Sequence, residues 1–153
     1  MILLLTYGCG MMVMPLKAAD PITGTWKLDV GSSKFVQTPP KEQIETYSEL
    51  ATGDIEMVLS KTQKEGAPTT TKLTWPAQGG VVHDPASALP KGETIIETLI
   101  GPGDWLAIFL TDGKQVATMH KVISRDGKAM VQTIEAVDSH GLPVEQVQVL
   151  HRQ

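Results

Sequence analysis

The sequence predicts an all-β fold, in which an antiparallel up-and-down meander closes into a barrel of about eight to ten strands. Three observations support this prediction. No long helical pattern follows Asp20, because glycine and proline recur too often. Runs rich in Val, Ile, Thr and Trp alternate with turn residues. Finally, Gly113, Gly127 and Gly141 recur at intervals of 14 residues, which fits one strand of about ten residues plus a tight turn.

The pairs Asp112-Gly113 and Asp126-Gly127 predict the position of two turns. Asp-Gly is favoured in two-residue hairpin loops, because both residues tolerate positive φ. A strand of ten residues spans about 33 Å, which is long for a small sandwich and suits a barrel. The predicted strands occupy residues 24–30, 42–50, 55–64, 70–75, 79–83, 93–100, 105–111, 115–124, 128–137 and 144–152.

The chain divides into an apolar N-terminal segment and one domain. Residues 1–16 carry no charge, and Lys17-Ala18-Ala19 follows. This pattern predicts that residues 1–19 are a signal peptide, and that the mature protein is periplasmic or secreted. The alternative is a retained apolar anchor that holds the protein at a membrane. The single cysteine, Cys9, lies in this segment, so residues 20–153 form a barrel domain without disulfides.

Composition excludes one class of partner. The 153 residues are 41% hydrophobic and 20% charged, with a formal net charge of −4. A nucleic-acid-binding protein needs a basic face for the phosphates, so we expect no nucleic-acid partner. We also expect no transmembrane span in the mature domain.

No motif for catalysis or for a metal is present. The sequence has no Gly-x-Ser-x-Gly, P-loop or dinucleotide fingerprint. Its histidines are not at the close spacing of metal ligands, although His83, His120 and His151 could converge from three strands. The sequence therefore predicts no catalytic residue, no metal and no cofactor.

Methionine and aromatic residues on separate strands are candidate lining residues of a pocket. Methionine adapts to irregular apolar surfaces, although such a side chain on a strand is more often ordinary core. The candidate ligand-binding residues are Tyr47, Met57, Trp75, Phe109, Met119 and Met130.

The first predicted strand begins Gly24-Thr25-Trp26, and this Gly-x-Trp resembles the start of lipocalins and related calycin barrels. In those proteins the tryptophan closes one end of the barrel, and an arginine near the last strands packs across its ring. The resemblance implies this closing role for Gly24, Trp26 and Arg152, with Arg125 as the other candidate arginine.

A broader resemblance covers nearly all of residues 20–153. The stretches ITGTWKLDVGSSKF, DGKQVATMHKVISRDGKAM and VDSHGLPVEQVQVLHRQ are similar to a largely uncharacterised group of exported bacterial lipocalin-like proteins. Ser32 replaces the lysine that is usual in that group. The resemblance implies a lipocalin-like barrel and export more than an activity.

Three functions are considered as hypotheses. The first is a non-enzymatic exported protein that binds a small apolar ligand in its barrel. The second is a structural or accessory subunit of a cell-envelope or membrane-associated assembly. Residues 104–110 favour the second, since DWLAIFL is apolar on both faces and one face needs a cover. A third hypothesis, an enzyme, has no residue to support it.

Overall fold

The computed structural model describes residues 19–153, which form an all-β barrel. The prediction of an antiparallel meander that closes into a barrel of eight to ten strands is confirmed. The ten strands are β1 (Gly24–Lys34), β2 (Glu42–Glu49), β3 (Asp54–Thr62), β4 (Thr69–Pro76), β5 (Gly79–Val81), β6 (Glu93–Gly101), β7 (Asp104–Thr111), β8 (Lys114–Ile123), β9 (Ala129–Val137) and β10 (Pro143–Arg152). The predicted segment 1–19 lies outside the described residues except for Ala19.

Strands that are consecutive in sequence pair with each other, except β4 with β5, and the first strand also pairs with the last. The spatial order is β4-β3-β2-β1-β10-β9-β8-β7-β6-β5. Trp26 of β1 lies opposite Arg152 of β10. A single bridge between β4 and the segment that follows β5 closes the barrel, and in it Thr74 and His83 exchange two backbone hydrogen bonds of 3.0 and 2.7 Å.

The regular glycine spacing marks turns of two kinds. Asp112 (φ 48°) and Gly113 (φ 76°) form the two-residue hairpin turn that the sequence predicts. A turn also lies at Asp126-Gly127, as predicted, but it is not a two-residue turn, because residues 124–128 form a longer loop. Asp126 accepts hydrogen bonds from Ser124 Oγ (2.7 Å) and from the Lys128 amide (3.1 Å), and Gly127 alone takes a positive φ, of 68°.

Strand β1 continues beyond the predicted end at residue 30. The Asp29 carboxylate accepts hydrogen bonds from the Gly31 amide (3.0 Å) and the Ser32 hydroxyl (2.7 Å). The register with β10 shifts between Asp29 and Lys34. A polar Gly-Ser-Ser stretch therefore remains in the sheet as a bulge, which sequence alternation alone does not reveal.

The core lies toward one end of the barrel. Trp26, Trp75 and Trp105 are all at most 2% exposed. Tyr47 and Trp105 each pack edge-on against the Trp75 ring, with 6.2 Å between ring centroids. We call this layer of aromatic residues the aromatic floor. No helix of membrane-spanning length and apolarity occurs in residues 19–153.

Candidate functional site

The barrel is plugged below the aromatic floor. The Arg152 guanidinium carbon lies 4.2 Å from the centroid of the Trp26 ring. Its nitrogens donate to the carbonyl oxygens of Gly127 (2.6 Å), Thr23 (2.6 Å) and Pro21 (2.7 Å). A planar group with several fixed donors can make all these contacts at once, which lysine cannot. Arg125, the alternative arginine, is exposed in the 124–128 loop.

Asp20 ties the chain entering β1 to the β6–β7 turn at the same end. Its carboxylate accepts hydrogen bonds from the Ile22 amide (2.9 Å), the Gly103 amide (3.4 Å) and the Trp105 indole (3.3 Å). The Trp26 indole donates to the Ile22 carbonyl at 2.8 Å, and Ile22 is fully buried. Hydrogen bonds to Asp20 and Ile22, which precede β1, therefore fix Trp26 and Trp105 of the aromatic floor.

Above the aromatic floor lies a cavity of about 310 Å³. That volume is near the lower end for ligand pockets, about 300–1,000 Å³. The lining side chains come from several strands and one loop, and they combine apolar with polar types. They are Gln43, Glu45, Tyr47, Met57, Leu59, Lys61, Thr71, Leu73, Ala88, Leu89, Ile95, Glu97, Phe109, Met119, Lys121, Gln132 and Gln148.

The structure brings four of the six predicted ligand-binding residues to this cavity: Tyr47, Met57, Phe109 and Met119. The other two lie outside its lining. Trp75 is buried between Tyr47 and Trp105 in the aromatic floor. Met130 is fully buried, with its sulfur 3.9 Å from the Gln132 amide nitrogen.

A belt of buried polar side chains crosses the lower cavity, and the sequence did not predict it. We call it the polar belt, and it consists of Gln43, Glu45, Glu97, Lys121, Gln132 and Gln148, each at most 7% exposed. Buried polar groups of this kind are costly unless they are hydrogen-bonded. The alternation of side chains along a strand could have located two of them, because Gln43 and Glu45 point to the same side of β2 as Tyr47.

One half of the polar belt is fully hydrogen-bonded around Glu45. One carboxylate oxygen accepts from Gln43 (2.8 Å), and the other accepts from Tyr47 (2.6 Å) and Gln132 (2.7 Å). The Gln43 amide also donates to Gln148 at 3.0 Å. Burial raises the pKa of the Tyr47 phenol well above its usual range, and the nearby Glu45 carboxylate raises it further. Tyr47 therefore acts as a hydrogen-bond donor toward Glu45.

The other half of the polar belt is a buried ion pair, in which one carboxylate oxygen accepts no hydrogen bond from the described residues. Lys121 Nζ lies 2.6 Å from one oxygen of Glu97, and the two side chains are 4% and 5% exposed. The ammonium group also lies 5.2 Å from the Trp75 ring centroid and 5.9 Å from that of Tyr47. The second oxygen of Glu97 has no hydrogen-bond partner among residues 19–153.

The loop of residues 82–92 lies over the cavity. It lies between β5 and β6, and its Ala88 and Leu89 belong to the lining. Asp84 fixes the loop, since its carboxylate accepts a hydrogen bond of 2.7 Å from the Leu89 amide. Backbone hydrogen bonds from Leu89 and Ala88 hold the pKa of Asp84 below its usual value. We call residues 82–92 the covering loop.

The outer surface of β6–β9 carries the apolar face that residues 104–110 indicate. Leu106, Ile108 and Leu110 are half-buried there, whereas Trp105 and Ala107 point inward and are fully buried. A shallow groove on this surface includes His120, which lies 2.7 Å from Asp104.

The three histidines considered for a metal do not converge in the structure. His120 pairs with Asp104, and His151 lies 3.4 Å from Asp29 on another strand pair. His83 forms the bridge to β4. In the described part of the chain, no group of three or more His, Cys, Asp or Glu side chains is placed to hold a metal ion.

No protein-family model matches the chain, and no curated protein matches it. Solved structures that are similar to it in fold include the wild-type fluorescent protein UnaG and two of its single-residue mutants. Wild-type UnaG is 18% identical, covers 86% of this chain and 97% of its own, and gives a TM-score of 0.60. The mutant in which one asparagine is replaced by alanine is also 18% identical. The match covers 87% of this chain and 96% of the mutant's, with a TM-score of 0.61. The mutant in which glutamine replaces the same asparagine is 16% identical. The match covers 86% of this chain and 95% of the mutant's, with a TM-score of 0.58.

Proposed function

We propose that this protein is a non-enzymatic carrier that holds one small hydrophobic molecule inside its barrel. The observation that supports it most is the cavity of about 310 Å³ between the aromatic floor and the covering loop. Met57, Leu59, Leu73, Phe109 and Met119 provide apolar walls. Burial of a hydrocarbon against such walls is favourable by about 25 cal/mol for each Å² removed from water.

A titration with prodan tests the proposal, because this uncharged naphthalene dye changes its emission in apolar surroundings. We expect saturable binding of one dye per chain, with a blue shift. Leu59 lies on the cavity and the neighbouring Val58 on the outer face of β3. Leu59→Trp should reduce binding at least tenfold, and Val58→Trp should leave it unchanged. An absence of saturable binding to the wild-type protein would refute the carrier function.

We propose export as the setting of this function. The support is the uncharged apolar run of residues 1–16, followed by Ala18-Ala19, together with the resemblance to exported bacterial lipocalin-like proteins. Asp20 would then begin the mature chain, and its carboxylate already holds the closed end of the barrel. N-terminal sequencing of protein from the envelope and medium tests this. An intact Met1 there would refute cleavage.

A second candidate function is an accessory subunit of an envelope assembly. The apolar outer surface of β6–β9 favours it, since Ile100 is 59% exposed and Val122 and Val131 are 39% exposed. Native mass spectrometry of the protein purified from its host separates the two functions. A heteromeric mass supports the subunit, and a monomer carrying a few hundred daltons of extra mass supports the carrier.

A further inference from the structure

Glu97 is the one member of the polar belt with a free carboxylate oxygen in the described structure. Its side chain is 5% exposed, and Lys121 occupies only the other oxygen, at 2.6 Å. A buried charged acceptor without a partner lowers stability, so such a position persists where another group completes it. Glu97 lines the cavity, so that group can come from a molecule inside the barrel.

The balance of charges in the polar belt indicates what this group is. Among residues 19–153, two carboxyl groups, Glu45 and Glu97, share the lower cavity with a single ammonium group, that of Lys121. Both oxygens of Glu45 already accept hydrogen bonds from Gln43, Gln132 and Tyr47. One more positive charge beside Glu97 would therefore pair the remaining carboxylate.

Lys121 is not free to receive an anionic ligand. Its Nζ lies 2.6 Å from Glu97 and faces the rings of Trp75 and Tyr47 at 5.2 and 5.9 Å. A ligand carboxylate at this depth would approach both Glu97 and Glu45, and like charges at short range in a buried site repel strongly. Lys61 is the other cation on the cavity, at the far end of β3, where it could meet an anion near the mouth.

We infer that the ligand is an amphipathic amine, which enters with its ammonium group first and donates a hydrogen bond to the free oxygen of Glu97. Its hydrocarbon part lies against Met57, Phe109 and Met119, toward the covering loop. The inference rests on the proposed carrier function and specifies its substrate class. A neutral hydroxyl can donate the same hydrogen bond without supplying the charge, so an alcohol should bind less tightly than the amine.

Calorimetric titration of the wild-type barrel with n-octylamine, octan-1-ol and octanoate at pH 7 tests the inference. The three molecules share one hydrocarbon chain and differ in the head group. We expect octylamine to bind at least about tenfold more tightly than octanoate, with octanol between them. Octanoate binding as tightly as octylamine would overturn the inference, and its loss on Lys61→Gln would place an anionic head at the mouth.

Variants locate the head group. Glu97→Gln should weaken octylamine at least about tenfold and octanol less. Lys121→Gln removes the competing cation and should tighten octylamine. Glu135→Gln makes the same chemical change on the outer face of β9 and should alter nothing. Unchanged octylamine affinity in a folded Glu97→Gln protein would refute the assignment.

Failure of the inference is distinguishable from failure of the carrier function. Prodan has no hydrogen-bond donor and no charge, so it reports the apolar walls without the head group. If prodan binds but octylamine binds no more tightly than octanoate, the carrier function is supported and an amine is the wrong ligand class. If prodan does not bind, both are wrong, because the inference rests on the carrier function.

Discussion

The plug formed by Arg152 and Trp26 provides a test of what closes the barrel. Arg152→Met keeps much of the aliphatic side chain and removes the guanidinium. It eliminates the hydrogen bonds to the carbonyls of Gly127 and Thr23, both 2.6 Å, and to that of Pro21, 2.7 Å. It also eliminates the stacking of the cation 4.2 Å from the indole centroid.

The expected loss can be estimated contact by contact. The bonds to Gly127 and Thr23 are partly buried, and each contributes about 1–1.5 kcal/mol. The bond to Pro21 is exposed and adds little. The cation–π contact adds about 1 kcal/mol. The free energy of unfolding should therefore fall by about 3–4 kcal/mol, and at roughly 3 °C per kcal/mol the melting temperature should fall by about 10 °C.

Thermal unfolding followed by circular dichroism or calorimetry measures the change. Arg152→Lys keeps the charge over the ring and loses the fixed fork of donors, so it should regain about 1 kcal/mol of the loss. Arg125→Met is the matched control, because Arg125 is exposed in a turn, and its melting temperature should stay within about 1 °C. An Arg152→Met protein that melts within about 2 °C of the parent would refute the reasoning.

Three further changes test the backbone and the covering loop. Gly24→Ala should lower the unfolding free energy by about 2 kcal/mol in urea titration, because Gly24 has a φ of 131° and a Cβ there meets the Arg152 guanidinium. Gly127→Val should cost about 1–2 kcal/mol by the same assay, since its φ is 68°, whereas Gly101→Ala, with open space and no positive φ, should be neutral. Asp84 has a lowered folded pKa, so its stabilisation is complete above the ordinary value of 3.8 and is lost as pH falls through the folded pKa. The stability difference between wild type and Asp84→Asn should therefore be present at pH 7 and vanish at acid pH; a difference that persists in acid would contradict it.

The fold could be predicted from the sequence because its main signal is local. Asp112-Gly113 requires two successive positive φ angles, and few arrangements other than a tight hairpin supply them. The sequence predicts the position of the turn at Asp126-Gly127 but not its type, because hydrogen bonds from the Ser124 hydroxyl and the Lys128 amide to the Asp126 carboxylate favour a longer loop. Those bonds depend on rotamers that spacing does not encode.

The cavity could be predicted only in part, because alternation shows two faces without showing which one is inside. Met57, Phe109 and Met119 were identifiable as apolar residues on strands. Glu97 and Lys121 were not, since a polar residue in a strand ordinarily faces water. Their pairing joins β6 to β8 and depends on the three-dimensional closure of the barrel.

The pairing of β1 with β10 has a consequence for how the protein is made. Strand β1 is the first strand of the barrel to be synthesised, whereas β10, whose Arg152 lies opposite Trp26, is the last of the ten. Until then one edge of β1 has no partner, and such an edge is a template for aggregation. Folding must also wait for a contact between distant parts of the chain, which makes it slow. Until β10 has been made, a hairpin of β1 and β2 therefore exposes an edge that can pair with another chain.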